Sequence, residues 1–216
     1  MQPDIDEALR YLGVRSDPDG RLRAQMTGLA AELTSQITPR YTWRVLFLSR
    51  TAGTLCASSI PLPGNSAARM LADCDRCALL VCTLGTAFDA LVRRMQPRDM
   101  ARAVMLDALG SAYVEAACDA AEQEIAQRFP KGYLTDRFSP GYGDLPLDIQ
   151  PMLLEAAEAH RIGVSLTPSL LMNPQKSVSA LVGIADRPQM ARIRGCAYCA
   201  MNRTCTLRKA GKTCGI

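Results

Sequence analysis

Residues 137–150 read Arg-Phe-Ser-Pro-Gly-Tyr-Gly-Asp-Leu-Pro-Leu-Asp-Ile-Gln, and the interpretation of the whole chain starts from this stretch. We call residues 137–146 the Pro-Gly loop, because two prolines and two glycines in it restrict the backbone to an unusual path. Arg137 can bind a carboxylate through two hydrogen bonds, and Tyr142 offers a π face to a cation. The loop therefore fits a ligand that carries both a carboxylate and a cationic centre. From the spacing alone, a surface turn before a helix is the simpler interpretation.

Other parts of the sequence follow a related pattern. Residues 166–174 read Leu-Thr-Pro-Ser-Leu-Leu-Met-Asn-Pro, and residues 177–183 read Ser-Val-Ser-Ala-Leu-Val-Gly. A weaker block runs from Asp107-Ala108 through Val114-Glu115 to Asp119. Together with the Arg-x-x-Pro-Gly-Tyr-x-x-x-Pro pattern of the Pro-Gly loop, these blocks resemble the activation domain of cobalamin-dependent methionine synthase over roughly residues 80–185. The chain is similar in particular to free-standing versions of that domain that end in a cysteine cluster.

The resemblance implies a methyltransferase-type protein of methionine biosynthesis that binds S-adenosylmethionine and reactivates a corrinoid enzyme by reductive methylation of cob(II)alamin. It assigns the ligand carboxylate to Arg137 and the ligand ammonium to Glu115. Gly141 and Tyr142 would face the adenosyl or sulfonium region and the edge of the corrin, and Tyr142 is the predicted catalytic residue. No corrinoid-binding domain is recognisable, so the cobalamin must arrive on a partner, a corrinoid-binding methyltransferase protein. A low-potential electron donor of the flavodoxin or ferredoxin type must supply the electron.

The chain also departs from the family pattern. The family commonly has a tyrosine at the position of Leu170, and Leu145 replaces a small residue or a cysteine beside the loop. No residue matches the N-terminal acidic residue that contacts the nucleoside in full-length enzymes. These departures predict a pocket that is looser or is shaped for a different corrinoid protein.

An acidic face is predicted on a long helix over residues 97–129. Glu115, Asp119 and Glu122 have i, i+4, i+7 spacing and therefore share one side of that helix. A solvated acidic stripe and a carboxylate that receives a ligand ammonium are both compatible with this spacing.

Four cysteines lie close together at the end of the chain, in a segment rich in Gly, Arg and Lys: Cys196, Cys199, Cys205 and Cys214. Four thiolates at this density in a reducing compartment predict metal ligands. One close pair with two dispersed cysteines favours a 4Fe-4S cluster, and structural zinc is the alternative. Residues 189–216 are accordingly predicted to be a small metal-binding tail that follows an activation-like domain over residues 1–188.

Composition narrows the class of protein further. The chain has 216 residues, a net charge of +4 and 9 cysteines. That charge is too small to indicate nucleic-acid binding, and the longest apolar stretch falls short of the ~20 residues that a membrane span needs. The cysteines, without a recognisable signal peptide, predict a cytoplasmic location. Strands and helices mix without a regular alternation, which predicts an α+β domain with a mostly antiparallel sheet.

Local patterns predict the bounds of individual helices and strands. A buried strand is expected over residues 77–84, a helix over 147–160 and a further strand over 162–171. Two other functions also remain open: a non-enzymatic accessory that recruits an electron donor, and a zinc module that binds protein or nucleic acid. Iron content separates a cluster from zinc, and S-adenosylmethionine binding separates an enzyme from an accessory.

Overall fold

The computed structural model describes residues 1–14, 20–189 and 203–209. Within these ranges the helices are α1 (Ile5–Tyr11), α2 (Arg21–Gln36), α3 (Asn65–Met70), α4 (Thr86–Met95), α5 (Met100–Arg128), α6 (Gln150–Ala156) and α7 (Thr206–Lys209). The strands are β1 (Arg40–Thr51), β2 (Thr54–Ala57), β3 (Ile60–Leu62), β4 (Cys74–Thr83), β5 (Tyr133–Leu134), β6 (Ser165–Leu166), β7 (Met172–Asn173) and β8 (Ser177–Ala185). Two short 3-10 helices cover Leu147–Ile149 and Ala159–Ile162.

Six of the strands form one sheet in the order β3-β2-β1-β4-β8-β5, and β6 pairs with β7 in a small second sheet. The pairings of β1 with β2, of β2 with β3 and of β5 with β8 are antiparallel. The predicted α+β fold, with a mostly antiparallel sheet and flanking helices, is confirmed. No helix among the described residues is both long enough and apolar enough to cross a membrane.

The chain divides into two compact units. Unit 1 comprises Met1–Trp43, Leu80–Glu124 and Leu154–Ser179, and unit 2 comprises Arg44–Leu79, Ile125–Leu153 and Ala180–Ile216. A domain boundary at residue 189 stays a prediction, because most of residues 189–216 lie outside the described part of the chain.

Unit 1 is built around α5. Its buried residues Leu106, Leu109, Tyr113 and Ala117 recur every three or four positions and pack into a cluster with apolar residues of α1, α2 and α4. The hydroxyl group of Tyr113 donates a hydrogen bond to the buried carbonyl oxygen of Ile37 at 3.1 Å, which satisfies the one polar atom of that side chain. The long helix agrees with the sequence prediction of a helix over residues 97–129.

Unit 2 contains α3, the strands β2, β3 and β5 and the Pro-Gly loop. Its largest buried side chains include Leu62, Met70, Leu71 and Leu145, each exposed by no more than 2%. The 3-10 helix Leu147–Ile149 follows directly after the loop. The loop is therefore anchored to a packed interior by at least one of its own side chains.

The strand expected over residues 77–84 is β4, whereas the other helix and strand end several residues earlier than the sequence predicts. The helix expected over residues 147–160 is α6 with a 3-10 helix on either side, because Glu158 has a left-handed backbone, with φ of 52°. The strand expected over residues 162–171 pairs only at Ser165–Leu166. There Thr167 turns the chain, with its N–H donating to the carbonyl oxygen of Leu171 at 2.9 Å, and Leu170 is left-handed with φ of 62°.

A pair of glycine substitutions tests the packing of unit 1. A Cβ at Gly110 in α5 would lie 2.2 Å from the ring of the buried Phe88, whereas Gly28 in α2 has nothing within 4 Å. Gly110→Ala should therefore destabilise the protein by about 1–2 kcal/mol, since overpacking outweighs the gain in helix propensity. Gly28→Ala should stabilise it by about 0.5–1 kcal/mol. Urea denaturation of both variants measures the difference, and a Gly110→Ala variant as stable as Gly28→Ala would contradict this packing.

Candidate functional site

The Pro-Gly loop leaves the sheet at a fixed point. The backbone of Phe138 exchanges two hydrogen bonds with Leu181 of β8: its N–H donates to the carbonyl oxygen at 2.9 Å and its carbonyl oxygen accepts at 2.8 Å. The side chain of Phe138 is 4% exposed. The start of the loop is therefore tied to the sheet by two backbone hydrogen bonds and a buried side chain.

The loop closes on itself around Tyr142. The N–H of Gly141 donates to the carbonyl oxygen of Leu145 at 2.8 Å, and the N–H of Leu145 donates to the carbonyl oxygen of Tyr142 at 3.1 Å. Gly141 and Gly143 have φ of 86° and 58°, values that side-chain-bearing residues rarely adopt. Glycine on each side of Tyr142 is thus what allows this tight turn, as the sequence suggested.

Asp144 ties the loop to the beginning of α3. One carboxylate oxygen accepts the N–H of Asn65 at 2.6 Å, and the other accepts the N–H of Ser66 at 2.9 Å. The hydrogen bonds from the backbone N–H groups of Ser66 and Asn65 lower the pKa of Asp144 to about 2. Since the folded pKa is depressed, this contribution to stability is present at neutral pH and is lost only as the pH falls from about 4 through about 2. No pattern in the sequence indicated this residue.

The predicted ligand residues differ in exposure and belong to two different units. Tyr142 is 70% exposed, Gly141 is also exposed, and Arg137 is half-buried at the start of the same loop. These three residues belong to unit 2. Glu115 is a half-buried residue of α5 in unit 1. Arg137, Gly141 and Tyr142 therefore lie on one loop, and Glu115 lies on a helix of the other unit.

The negative charge of Glu115 acts on α1. Burial first, and then the charges of Glu7 and Glu115, raise the pKa of Tyr11 to about 12. Tyr11 also donates a hydrogen bond to Glu7 at 3.3 Å. Glu115 is thus neither a fully exposed member of an acidic stripe nor a fully buried residue, and both interpretations of the acidic face remain open.

The cysteine tail is mostly outside the described residues. This applies to Cys196, Cys199 and Cys214, whereas Cys205 is a half-buried free thiol that immediately precedes α7. Over residues 1–14, 20–189 and 203–209, no group of three or more His, Cys, Asp or Glu side chains could hold a metal ion. The four-cysteine site and the identity of its metal stay predictions.

Within unit 1, the beginning of the 107–119 block lies against the residues just before and at the start of the 177–183 segment. The ammonium of Lys176 lies 3.0 Å from a carboxylate oxygen of Asp107 and 2.8 Å from the hydroxyl of Ser111, both on α5. The next residue, Ser177, shares a 2.8 Å hydrogen bond with the hydroxyl of Thr83 at the end of β4. Ser177 and the preceding Lys176, which lies between the quoted segments 166–174 and 177–183, thus hold α5, β4 and the start of β8 together, a structural role that the sequence patterns did not indicate.

Lys176 provides a test of this connection. Its side chain is 19% exposed but that of Asp107 is 57% exposed, so solvent screens part of the attraction. Lys176→Ala should destabilise the protein by about 1–2 kcal/mol, because it removes hydrogen bonds from a charged group. Lys131→Ala, at an exposed position of the chain, removes the same charge and should change stability by less than about 0.5 kcal/mol. Equal midpoints for the two variants in urea would show that the Lys176 contacts contribute nothing.

Comparison with known proteins identifies a shared fold. A solved structure of the MetH reactivation domain bound to AdoHcy has a TM-score of 0.64 to this chain at 14% sequence identity, and the match covers 99% of this chain and 86% of that one. No family model matches the chain. No curated protein matches it either. The chain is therefore similar in fold to the MetH reactivation domain, as the sequence blocks suggested, and the variant with a cysteine tail stays a prediction.

Proposed function

We propose that this protein binds S-adenosylmethionine and reactivates a corrinoid methyltransferase in trans by reductive methylation of cob(II)alamin. The observation that carries the proposal is the Pro-Gly loop, which is fixed at both ends, presents an exposed Tyr142 and begins with Arg137. The fold likeness to a reactivation domain bound to AdoHcy, the demethylated form of S-adenosylmethionine, supports the class of ligand.

The proposed reaction needs one electron and one methyl group. A low-potential donor of the flavodoxin or ferredoxin type converts cob(II)alamin on the partner protein to cob(I)alamin. Its cobalt then takes the sulfonium methyl group, the bond between sulfur and that methyl breaks with its electrons remaining on sulfur, and S-adenosylhomocysteine leaves. No proton moves, so no general base is required. The protein's contribution is to bind the two reactants and align them.

Each proposed ligand residue has a distinct task. The guanidinium of Arg137 binds the carboxylate of S-adenosylmethionine, since its planar donors match both carboxylate oxygens. The ring of Tyr142, with the backbone of Gly141 beside it, faces the sulfonium region, where a π face stabilises positive charge. Glu115 as the acceptor of the ligand ammonium is proposed on the resemblance alone.

The cysteine tail is proposed to hold a 4Fe-4S cluster through Cys196, Cys199, Cys205 and Cys214, with zinc as the alternative. A cluster would place an electron carrier on the same chain as the S-adenosylmethionine site. Metal analysis of anaerobically purified protein distinguishes the two metals. Zinc together with no binding of S-adenosylmethionine would favour the other function, a binding module for protein or nucleic acid.

Arg137 is tested by ligand affinity. Arg137→Ala should weaken S-adenosylmethionine binding by about 1.5–3 kcal/mol, or roughly ten- to a hundredfold in Kd, because it removes hydrogen bonds to a charged group. Arg137→Lys keeps the charge without the planar fork and should lose part of that affinity. Arg50→Ala removes the same charge from an exposed position of unit 2 and serves as the control. Calorimetric titration measures the Kd of S-adenosylmethionine for each variant. Equal Kd values for Arg137→Ala and Arg50→Ala would contradict the role proposed for Arg137.

Tyr142 is tested by separating activity from stability. Because Tyr142 is 70% exposed, Tyr142→Ala should change the free energy of unfolding by less than about 0.5 kcal/mol. The buried Tyr113 is the contrast, and Tyr113→Ala should cost about 3–5 kcal/mol. Methyl transfer to cobalamin in a reconstituted assay should fall in Tyr142→Ala and be retained in Tyr142→Phe, which keeps the π face. Full activity in Tyr142→Ala would remove the residue from the reaction.

A further inference from the structure

We propose that Asp144 is a positioning residue, which sets the place of Tyr142 by holding the Pro-Gly loop against the first turn of α3. The catalytic consequence rests on the proposed function, whereas the structural part does not. Asp144 does not match the Arg-x-x-Pro-Gly-Tyr-x-x-x-Pro pattern, in which its position is unspecified. The proposed role rests on contacts within this chain and not on the pattern.

Helix α3 lacks a side-chain cap from the residue that precedes it. The residue before the helix, Gly64, has no side chain to accept the first N–H groups. The carboxylate of Asp144, 79 residues away from Asn65 and 78 from Ser66, accepts both of those N–H groups. Removing the carboxylate would leave two backbone donors to water and would release the loop from the helix at the same time.

The Pro-Gly loop and the start of α3 approach each other closely. A Cβ at Gly64 would lie 2.6 Å from the carbonyl oxygen of Asp144, and a Cβ at Gly143 would lie 2.7 Å from the hydroxyl of Ser66. Two glycines thus allow the approach that the carboxylate then fixes. Since Gly143 directly follows Tyr142, the first turn of α3 limits where the tyrosine backbone can lie.

Tyr142 is held mainly through its backbone. Its side chain is 70% exposed, so packing does little to hold it. Its backbone is held by the turn, in which its N–H donates to the carbonyl oxygen of Ser139 at 3.2 Å and its carbonyl oxygen accepts from Leu145. Phe138 fixes the turn upstream and Asp144 fixes it downstream. Loss of the Asp144 tie leaves the buried Leu145 as the remaining downstream anchor of the turn, so the tyrosine backbone is held less tightly.

Hydrogen exchange measured by NMR tests the structural part. In Asp144→Ala the amide hydrogens of Asn65, Ser66, Gly141 and Leu145 should exchange faster by on the order of tenfold, because each loses direct or adjacent support. The Phe138 amide, bonded to β8, is an internal control that should not change. Asp148→Ala is the matched variant, since it removes an exposed carboxylate in the segment just after the loop. Asp144→Asn keeps one acceptor oxygen and should give an intermediate exchange rate, which also answers the question if the alanine variant does not fold.

Kinetics test the catalytic part. The kcat of methyl transfer to cobalamin should fall on the order of ten- to a hundredfold in Asp144→Ala, since a small misplacement of an aligning group has that effect. The Kd of S-adenosylmethionine should rise by a smaller factor than the fall in kcat, because Arg137 precedes the tie to β8 and would still hold the ligand carboxylate. Asp144→Asn should recover part of the lost kcat. A merely structural residue would not produce this separation of kcat from Kd together with the graded recovery.

The outcomes distinguish this inference from the proposed function. Unchanged exchange in Asp144→Ala and Asp144→Asn would overturn it, and so would faster exchange with an unchanged kcat. If the wild-type protein shows no methyl transfer, the proposed function fails, while the exchange rates still decide whether Asp144 holds the loop. Faster exchange at the four amides in Asp148→Ala as well would also overturn it, because the effect would then not belong to the Asp144 carboxylate.

Discussion

The candidate site depends on one carboxylate that accepts two consecutive backbone N–H groups. Asp144 satisfies donors at the start of α3 and at the same time fixes the end of the Pro-Gly loop. Because the hydrogen bonds keep its pKa near 2, the carboxylate stays ionised at any physiological pH. Capping a helix from a remote loop therefore gives unit 2 a rigid turn without adding a buried side chain at that point.

A rigid turn with an exposed aromatic tip suits a reaction in which the protein performs no proton transfer. In the proposed methyl transfer the bonds that form and break lie on the substrates, so alignment is the main contribution that the chain can make. Tyr142 is held through its backbone, and its ring is left accessible. That combination allows a ring to face a large second reactant such as a corrin, which a buried tyrosine such as Tyr113 could not do.

The parts of the fold that follow local rules were predictable from the sequence, and the parts that depend on remote partners were not. The long helix α5 and the buried strand β4 were recognised because apolar residues recur at the right period or without interruption. The α-helix expected to reach residue 160 ends at Ala156, since Glu158 adopts a left-handed backbone that no pattern indicated. Arg137, Gly141 and Tyr142 were proposed as ligand residues from composition and resemblance, and that role stays a prediction. Asp144 was missed because its partners lie 78 and 79 residues away in sequence.

Two departures from the family pattern have different physical meanings. Leu145 is 1% exposed and closes the turn through its backbone, so the size of the residue at this position affects how the loop packs inside unit 2. Leu170 instead lies in the turn between β6 and β7 of unit 1, with a left-handed backbone that leucine rarely adopts. The tyrosine common at that position in the family would bring a hydroxyl that leucine lacks. The departure at Leu145 therefore concerns packing within unit 2, whereas the departure at Leu170 lies in an irregular turn of unit 1.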